Sequence, residues 1–472
     1  MNIAYAFKKS QDLCRSSLKL IGLKLHERWT PERLQDYQRR RLRALFAHAV
    51  RRSPFYRELY QNIKIGPEVQ LQELPVITKA MMMDAFDRFV TDTRLKLADL
   101  QTHIRDLSCD TYYLGEYRVL TTSGSSGFKG VFVFNRKEWS TLIAGYSRCS
   151  LSTGKLPRFP RRLRECSIFT DNPAHLSCRI KISSGTPLVL SKHLNAASSI
   201  AFLVAELNAF QPHVLSTYPS MASLLAVEQI EGRLKIHLEL VATGGETCTG
   251  EMTASIQKAW GIIPFNVYAS TEGGAFNIGC PFHRGIHAAE DLTILEVVDR
   301  NNRPVPAGRA GSKVLLTNLF NYTQPLIRYE ISDMLTLSEE RCPCGRPFRL
   351  IAGVEGRYDD ILYFPDSRGH SVPVHPVHFI TALGIIPDIK ESRVIHEQDG
   401  LVIDVVLRDT GDKTKVVDAI KTNLAASLKI QGIELPETRV LFTDHIERNP
   451  ETMGKFKLVE SGMKKPATGA PP

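Results

Sequence analysis

Thr121-Thr122-Ser123-Gly124-Ser125-Ser126-Gly127-Phe128-Lys129-Gly130 follows directly on the β-rich run Tyr117 to Leu120. These ten residues carry five hydroxyls and three glycines. Glycine lets a backbone turn sharply and come close to a ligand, because no Cβ bars positive φ. Successive amide N–H groups in such a turn form a concave anion site, and hydroxyls add donors. That is a cradle for a polyphosphate. Taken alone, a Ser/Gly-rich loop reads more readily as a linker, so the segments around it decide.

Outward from the loop, short β-rich runs alternate with helical ones from about 117 to 300. Val131 to Phe134, Val214 to Thr217, Leu238 to Thr243 and Ile263 to Tyr268 read as strands, and Ala196 to Phe210 and Met221 to Glu231 as helices. The alternation predicts an α/β fold with a mostly parallel sheet wrapped by helices. Leu292 to Val298 and Ser312 to Asn318 read as a small antiparallel part. Upstream, residues 10 to 62 read as two helices broken at Ser53-Pro54, and Thr78 as the cap of a helix from Lys79 to Phe89. After Gly356 a smaller α+β unit follows, with strands at 360–364, 393–397, 401–408 and 437–443 and a helix at 414–427. The expected domains are 1–357, 358–460 and a disordered tail, 461–472.

Behind the Ser/Gly loop stand five further motifs: Thr243-Gly244-Gly245-Glu246, Tyr268-Ala269-Ser270-Thr271-Glu272, Arg328-Tyr329-Glu330-Ile331-Ser332-Asp333, Gly356-Arg357-Tyr358-Asp359-Asp360 and Met453-Gly454-Lys455. In isolation each has a bland reading. Thr271-Glu272 also suits a helix cap, Asp333 and Arg357 a surface ion pair, and Lys455 a solvated lysine. In this order, together with Ser53-Pro54-Phe55-Tyr56-Arg57 and Leu74 to Lys79, the set resembles the adenylate-forming superfamily of acyl-CoA synthetases, in its phenylacetate–CoA ligase-like branch, over about residues 40 to 460.

The resemblance implies a large N-terminal ATP- and acid-binding domain and a small mobile C-terminal lid. It implies attack of a carboxylate on the α-phosphate of ATP, giving an acyl-adenylate and pyrophosphate. Ser123, Gly124, Ser125, Ser126 and Gly127 would wrap the β- and γ-phosphates. Gly245 and Glu246 would flank the adenine, Tyr268 would offer it a stacking face, and Ala269 and Ser270 would join the nucleotide site. Thr271 would hold an α-phosphate oxygen, and Glu272 would ligate Mg²⁺, a hard cation that prefers carboxylates. Asp333 would accept both ribose hydroxyls, and Arg357 would add a ribose or phosphate contact. Asp359 matches the hinge on which the lid swings, and Lys455 would bridge the substrate carboxylate and the α-phosphate.

Three features depart from the family pattern. Lys129 stands one position early in its loop, Tyr363 to Gly369 is not the usual basic, glycine-ended segment, and Glu330-Ile331-Ser332 replaces the common approach to Asp333. The second departure makes CoA a less secure acceptor than adenylation itself. The readings therefore run from a CoA ligase, through an adenylating ligase that passes its acyl group to a carrier-protein thiol, amine or sugar hydroxyl, to a nucleotide-binding regulator without turnover. The pairing of Glu272 with Lys455 argues against the last. Tyr218 and Phe265 suit a flat aryl acid and read equally as core aromatics. No basic residue stands out in these segments to pair a second carboxylate.

Nine cysteines in a chain of 472 residues argue against a disulfide scaffold. Cys280, His287, Cys342 and Cys344 offer three thiols and one imidazole, which suits structural Zn²⁺; the branch's similar arrangement favours His287 over His283. The net charge of +10 favours anionic ligands such as nucleotides, CoA or an acidic carrier. The basic clusters Arg39 to Arg43 and Lys155 to Arg164 lack interleaved stacking aromatics, so nucleic acid is not expected. No apolar run is long enough to span a membrane, and the basic, amphipathic Met1 to Leu25 lacks a signal peptide's apolar core. The expectation is a cytoplasmic enzyme acting on a small carboxylic acid, with a homodimer left open.

Overall fold

The computed structural model describes residues 3–63, 70–122, 130–154, 162–186, 188–274, 276–357, 362–365, 371–374, 376–384, 386, 388–408, 412–429, 432–447 and 459–461. Three helices open the chain, α1 (Ile3–His26), α2 (Pro31–Arg52) and α3 (Pro54–Leu59). Short helices α4 (Lys79–Asp84), α5 (Phe86–Phe89) and α6 (Leu97–Arg105) lead to the antiparallel pair β1 (Tyr117–Thr121) and β2 (Val131–Asn135). Then come α7 (Arg136–Ser152), β3 (Leu163–Phe169), α8 (Leu176–Ser184), β4 (Val189–Asn195), α9 (Ile200–Phe210), β5 (Val214–Thr217), α10 (Pro219–Ile230), β6 (Leu240–Gly244), α11 (Gly250–Trp260) and β7 (Phe265–Ala269). β8 (Phe276–Gly279), β9 (Ile286–His287), β10 (Thr293–Val298), β11 (Lys313–Asn318), β12 (Tyr329–Ile331), β13 (Asp333–Leu337) and β14 (Leu350–Arg357) complete the larger part.

Local chemistry sets many of these boundaries. Thr30 caps α2 through the Arg33 amide and Pro31 occupies its first turn, where no N–H is missed. Ser53 ends α2 and its side chain caps α3, so the Ser53-Pro54 break is two helices meeting at one residue. Asn135 and Glu138 form a reciprocal capping box at the start of α7. Thr78 caps α4 as its sequence suggests, but the helix ends at Asp84 and a second short helix follows from Phe86. The first helix begins at Ile3, well before residue 10.

One nine-stranded sheet organises the site, in the order β13-β14-β9-β8-β7-β6-β5-β3-β4. Its segment β4-β3-β5-β6-β7 is parallel, joined by α8, α9, α10 and α11. The rest is antiparallel. Chain order reverses between β3 and β5, and the carboxyl ends at such a switch point leave a crevice where ligands bind. β10, β11 and β12 form a separate three-stranded antiparallel sheet. The mixed architecture is the expected α/β fold with a small antiparallel part.

A second core begins at Leu362 and runs to Val459. It contains β15 (Leu362–Pro365), β16 (Ser371–Val374), α12 (Val377–Gly384), β17 (Ile389–Glu397), β18 (Gly400–Leu407), α13 (Lys413–Lys429), β19 (Thr438–Phe442) and β20 (Val459–Ser461). Its four-stranded sheet runs β19-β18-β17-β20. Val416, Ile420, Leu424 and Leu428 give α13 one apolar face, at the helical spacing that packs a helix on a sheet. Across to the larger part, Lys390 at the start of β17 pairs with Glu228 of α10 at 2.9 Å.

Candidate active site

Strand alternation builds the floor of the site. Side chains on a strand point to opposite faces in turn. On β3, Cys166 and Ile168 enter the apolar core with Leu203 and Leu207 of α9, while Glu165 and Phe169 face a cavity of about 990 Å³. Val214 and Ser216 on β5, Ala242 and Gly244 on β6, and Phe265, Val267 and Ala269 on β7 continue that face. α7 and α8 cover it, through Tyr146 and Cys149 from one and Leu176, Ile180 and Lys181 from the other.

The mouth of the cavity lies past the carboxyl ends of β6 and β7. Gly245, Ala269, Ser270, Thr271 and Glu272 line it, as do Thr122, Lys79 and Ser332. Gly245 holds φ at +85°, a conformation that L side chains rarely adopt, which gives this position a physical need for glycine. Tyr268 donates its hydroxyl to Asp333 Oδ2 at 2.7 Å, joining the end of β7 to the start of β13. Asp333 is 7% exposed and stands directly opposite Arg357 in the β13–β14 register. Glu246 is set slightly aside, with its carboxylate accepting the Ser220 amide at 3.3 Å. Lys313 and Glu330, paired at 2.6 Å, also border the cavity.

Thus Gly245, Ala269, Ser270, Thr271 and Glu272 come together on one cavity, with Tyr268 and Asp333 bonded at its edge. Ser123, Gly124, Ser125, Ser126, Gly127, Asp359 and Lys455 lie outside the described residues. Gly130, at the far end of the Ser/Gly loop, donates its amide to the Thr122 hydroxyl at 2.9 Å, so the two ends of that loop meet. Both proposed acid-pocket aromatics line the cavity. Tyr218, 1% exposed, meets Phe169 edge to face at 4.9 Å, and Phe265 is 5% exposed.

Lys181 is a cavity-lining cation that the sequence reading does not single out. It lies on α8, pairs with Glu165 and lines the cavity. The sequence does not single it out, because neither α8 nor β3 carries a motif of the nucleotide site. Arg328 was also invisible as an anchor. It holds φ at +49° while its guanidinium donates to the Gln72 and Leu74 carbonyls at 2.8 and 2.5 Å and to Glu296 at 3.1 Å. This ties the segment before Thr78 to the strand that leads to Asp333.

Cys280, His287, Cys342 and Cys344 form a second cluster, with one ligand atom from each within 4.8 Å of the others. Cys280 Sγ lies 3.3 Å from Cys342 Sγ, and Cys344 Sγ 3.1 Å from His287 Nε2. His287 Nδ1 faces the Phe348 carbonyl at 3.2 Å, which turns Nε2 toward the thiols. Gly285, at φ +137°, passes so close to the Ile351 carbonyl that a Cβ would lie 2.4 Å from it. Three thiols and one correctly oriented imidazole fit the donor set of a closed tetrahedral Zn²⁺ site. All nine cysteines are free of disulfides.

Comparison with known proteins agrees with this architecture. The chain is 26% identical over 396 residues to phenylacetate-coenzyme A ligase of Thermus thermophilus, covering 80% of this chain and 81% of the relative. It is 22% identical over 402 residues to protein CapK of Staphylococcus aureus, covering 83% and 82%. No protein-family model matches. Among solved structures, 2-hydroxyisobutyryl-CoA ligase in the postadenylation state with 2-HIB-AMP superposes with a TM-score of 0.71 at 19% identity, over 92% of this chain and 90% of that one. The fold is that of adenylate-forming enzymes. Among the described residues, no helix is long and apolar enough to cross a membrane.

Proposed function

We propose that the protein activates a carboxylic acid with ATP and then transfers the acyl group to CoA, an acid–thiol ligase of the phenylacetate–CoA ligase-like branch. The observation that carries this reading is the cavity mouth, where Gly245, Thr271 and Glu272 converge beside the Tyr268–Asp333 bond at the carboxyl ends of parallel strands. The similarity to two CoA ligases, over most of each chain's length, supports CoA as the acceptor.

In this reading the adenine lies along the flat approach at Gly245, beside Tyr268. Asp333, held by the Tyr268 hydroxyl, accepts the ribose hydroxyls, with Arg357 opposite it. Ser123 to Gly127 enclose the outer phosphates. Thr271 donates to an α-phosphate oxygen, and Glu272 would hold Mg²⁺, which would neutralise phosphate charge. An oxygen of the substrate carboxylate forms a bond to the α-phosphorus as the bond to pyrophosphate breaks. Lys455, carried by the C-terminal lid, stabilises the charge that gathers between the two anions. The lid then turns about Asp359, the CoA thiolate attacks the acyl carbonyl, and AMP leaves. The domain boundary near residue 357 follows from this role. Cys280, His287, Cys342 and Cys344 would hold Zn²⁺, and through it would fasten the chain after Glu272 to the chain after Asp333.

The test is exchange of labelled pyrophosphate into ATP across a panel of aryl and aliphatic acids, then thioester formation once CoA is added. Acid-dependent exchange followed by thioester is the expected outcome. An absence of exchange with every acid, or ADP as the product, contradicts it.

A further inference from the structure

The far wall of the cavity carries a charged set that adenylation does not use. Lys181 of α8 and Glu165 of β3 form an ion pair with side chains only 14% and 19% exposed. Ser216 of β5 donates its hydroxyl to Glu165 Oε1 at 3.2 Å, and Lys181 bonds the same oxygen. Lys181 Nζ lies 5.7 Å from the centre of the Tyr146 ring. Burial opposes the ammonium charge, but Tyr146 and Glu165 outweigh it and raise the lysine above its ordinary value. All four residues line the cavity. An enclosed ion pair is costly to desolvate and is weak evidence for stability alone, so its place on a ligand-facing wall calls for a use.

Glu165 stands four residues before Phe169 on β3, and Ser216 two residues before Tyr218. At about 3.3 Å per residue the set lies about 7–13 Å from the strand ends where the reacting groups gather. Between the two, Phe169 and Tyr218 offer an aromatic edge. We propose that Lys181, Glu165, Ser216 and Tyr146 form a specificity subsite for the far end of the acid, and that the preferred substrate is an aryl acid with a hydroxyl on its distal edge. The set is neutral overall. A hydroxyl has one donor and two acceptor sites, so it donates to Glu165 and accepts from Lys181. A second carboxylate sets like charge against Glu165, and a bare ring leaves the remaining donor and acceptor sites of the Lys181–Glu165 pair dry and unmet. The inference rests on the adenylation reading for the position of the reacting carboxylate.

The experiment compares 3- and 4-hydroxyphenylacetate, phenylacetate and 4-carboxyphenylacetate in pyrophosphate exchange. The same acids are titrated by calorimetry into protein loaded with AMP. At least one hydroxy acid exceeds phenylacetate by roughly tenfold or more in kcat/KM, as sites built to pair a hydroxyl discriminate against its absence, and the dicarboxylate is poorest. Glu165→Gln, close in shape, brings the hydroxy-to-bare ratio toward one; a merely structural role lowers all acids alike and keeps the ratio. Ser216→Ala gives the same readout if the first variant misfolds. Exchange without hydroxy preference overturns the subsite alone. Hydroxy preference in binding without exchange overturns the ligase reading alone, and the absence of both overturns both.

Discussion

The two ends of the cavity are built by different means. At the mouth, five chain segments deliver backbone turns and short polar side chains to one place, and their positions are fixed by strand ends, by Gly245 at φ +85° and by the Tyr268–Asp333 bond. At the far wall, longer charged side chains from α8 and β3 neutralise one another across the sheet and its covering helices. In the proposed reading, the mouth is where every acid meets the same nucleotide, and the wall is where one acid is told from another. Changes at the mouth should therefore lower turnover of all acids, whereas changes at the wall should reorder them.

The largest effect is expected from Lys455→Ala. Loss of a preorganised charge at a reacting phosphate costs on the order of 10²–10³ in rate, so acid-dependent exchange should fall by that factor for every acid, while ATP binding, read by calorimetry, stays within a few-fold. Next in size is Asp333→Asn. Charge-assisted hydrogen bonds contribute about 1.5–3 kcal/mol each, so the KM for ATP should rise by about 10- to 100-fold with the acid preference unchanged. A shift in acid preference from this variant would break the division between mouth and wall.

How far each end was legible follows from the same difference. The strands β5, β6 and β7, the antiparallel pair β10–β11 and the C-terminal unit all follow from alternation and turn chemistry, whereas the cluster of Cys280, His287, Cys342 and Cys344 follows from its metal-binding residue types, with His287 chosen over His283 by the family resemblance. Nucleotide contacts demand glycine, hydroxyl and carboxylate at set places along the chain, which leaves a pattern in the sequence. Lys181 and Glu165 leave none. They lie sixteen positions apart on a helix and a strand that the sequence does not announce, and only packing makes them neighbours. Arg328 is similar, because its partners Gln72 and Leu74 lie more than 250 positions away.

A smaller effect is expected at the thiol–imidazole cluster. Elemental analysis should give about one zinc per chain, as one closed site requires. Chelation or Cys342→Ser should lower Tm by several degrees, because binding energy at such sites is folding energy, and should raise the KM for ATP a few-fold without reordering acids. Metal-free protein with full stability would remove zinc from the account. The smallest effect belongs to Lys390→Ala. Its partner Glu228 keeps a second cation in Arg233, and partly exposed pairs contribute about 0–1 kcal/mol. Exchange rates should change by less than about threefold for all acids alike, which makes this variant the control for both ends.

The central claim, that this chain joins a carboxylate to AMP, is tested most directly by a single turnover without CoA. Protein in excess over radiolabelled ATP, with Mg²⁺ and a hydroxyphenylacetate, is quenched and its nucleotides separated. The account predicts a protein-bound acyl-adenylate in proportion to the labelled ATP supplied, with an equal amount of pyrophosphate. Conversion of ATP to ADP, or ATP recovered intact with every acid tried, would contradict it.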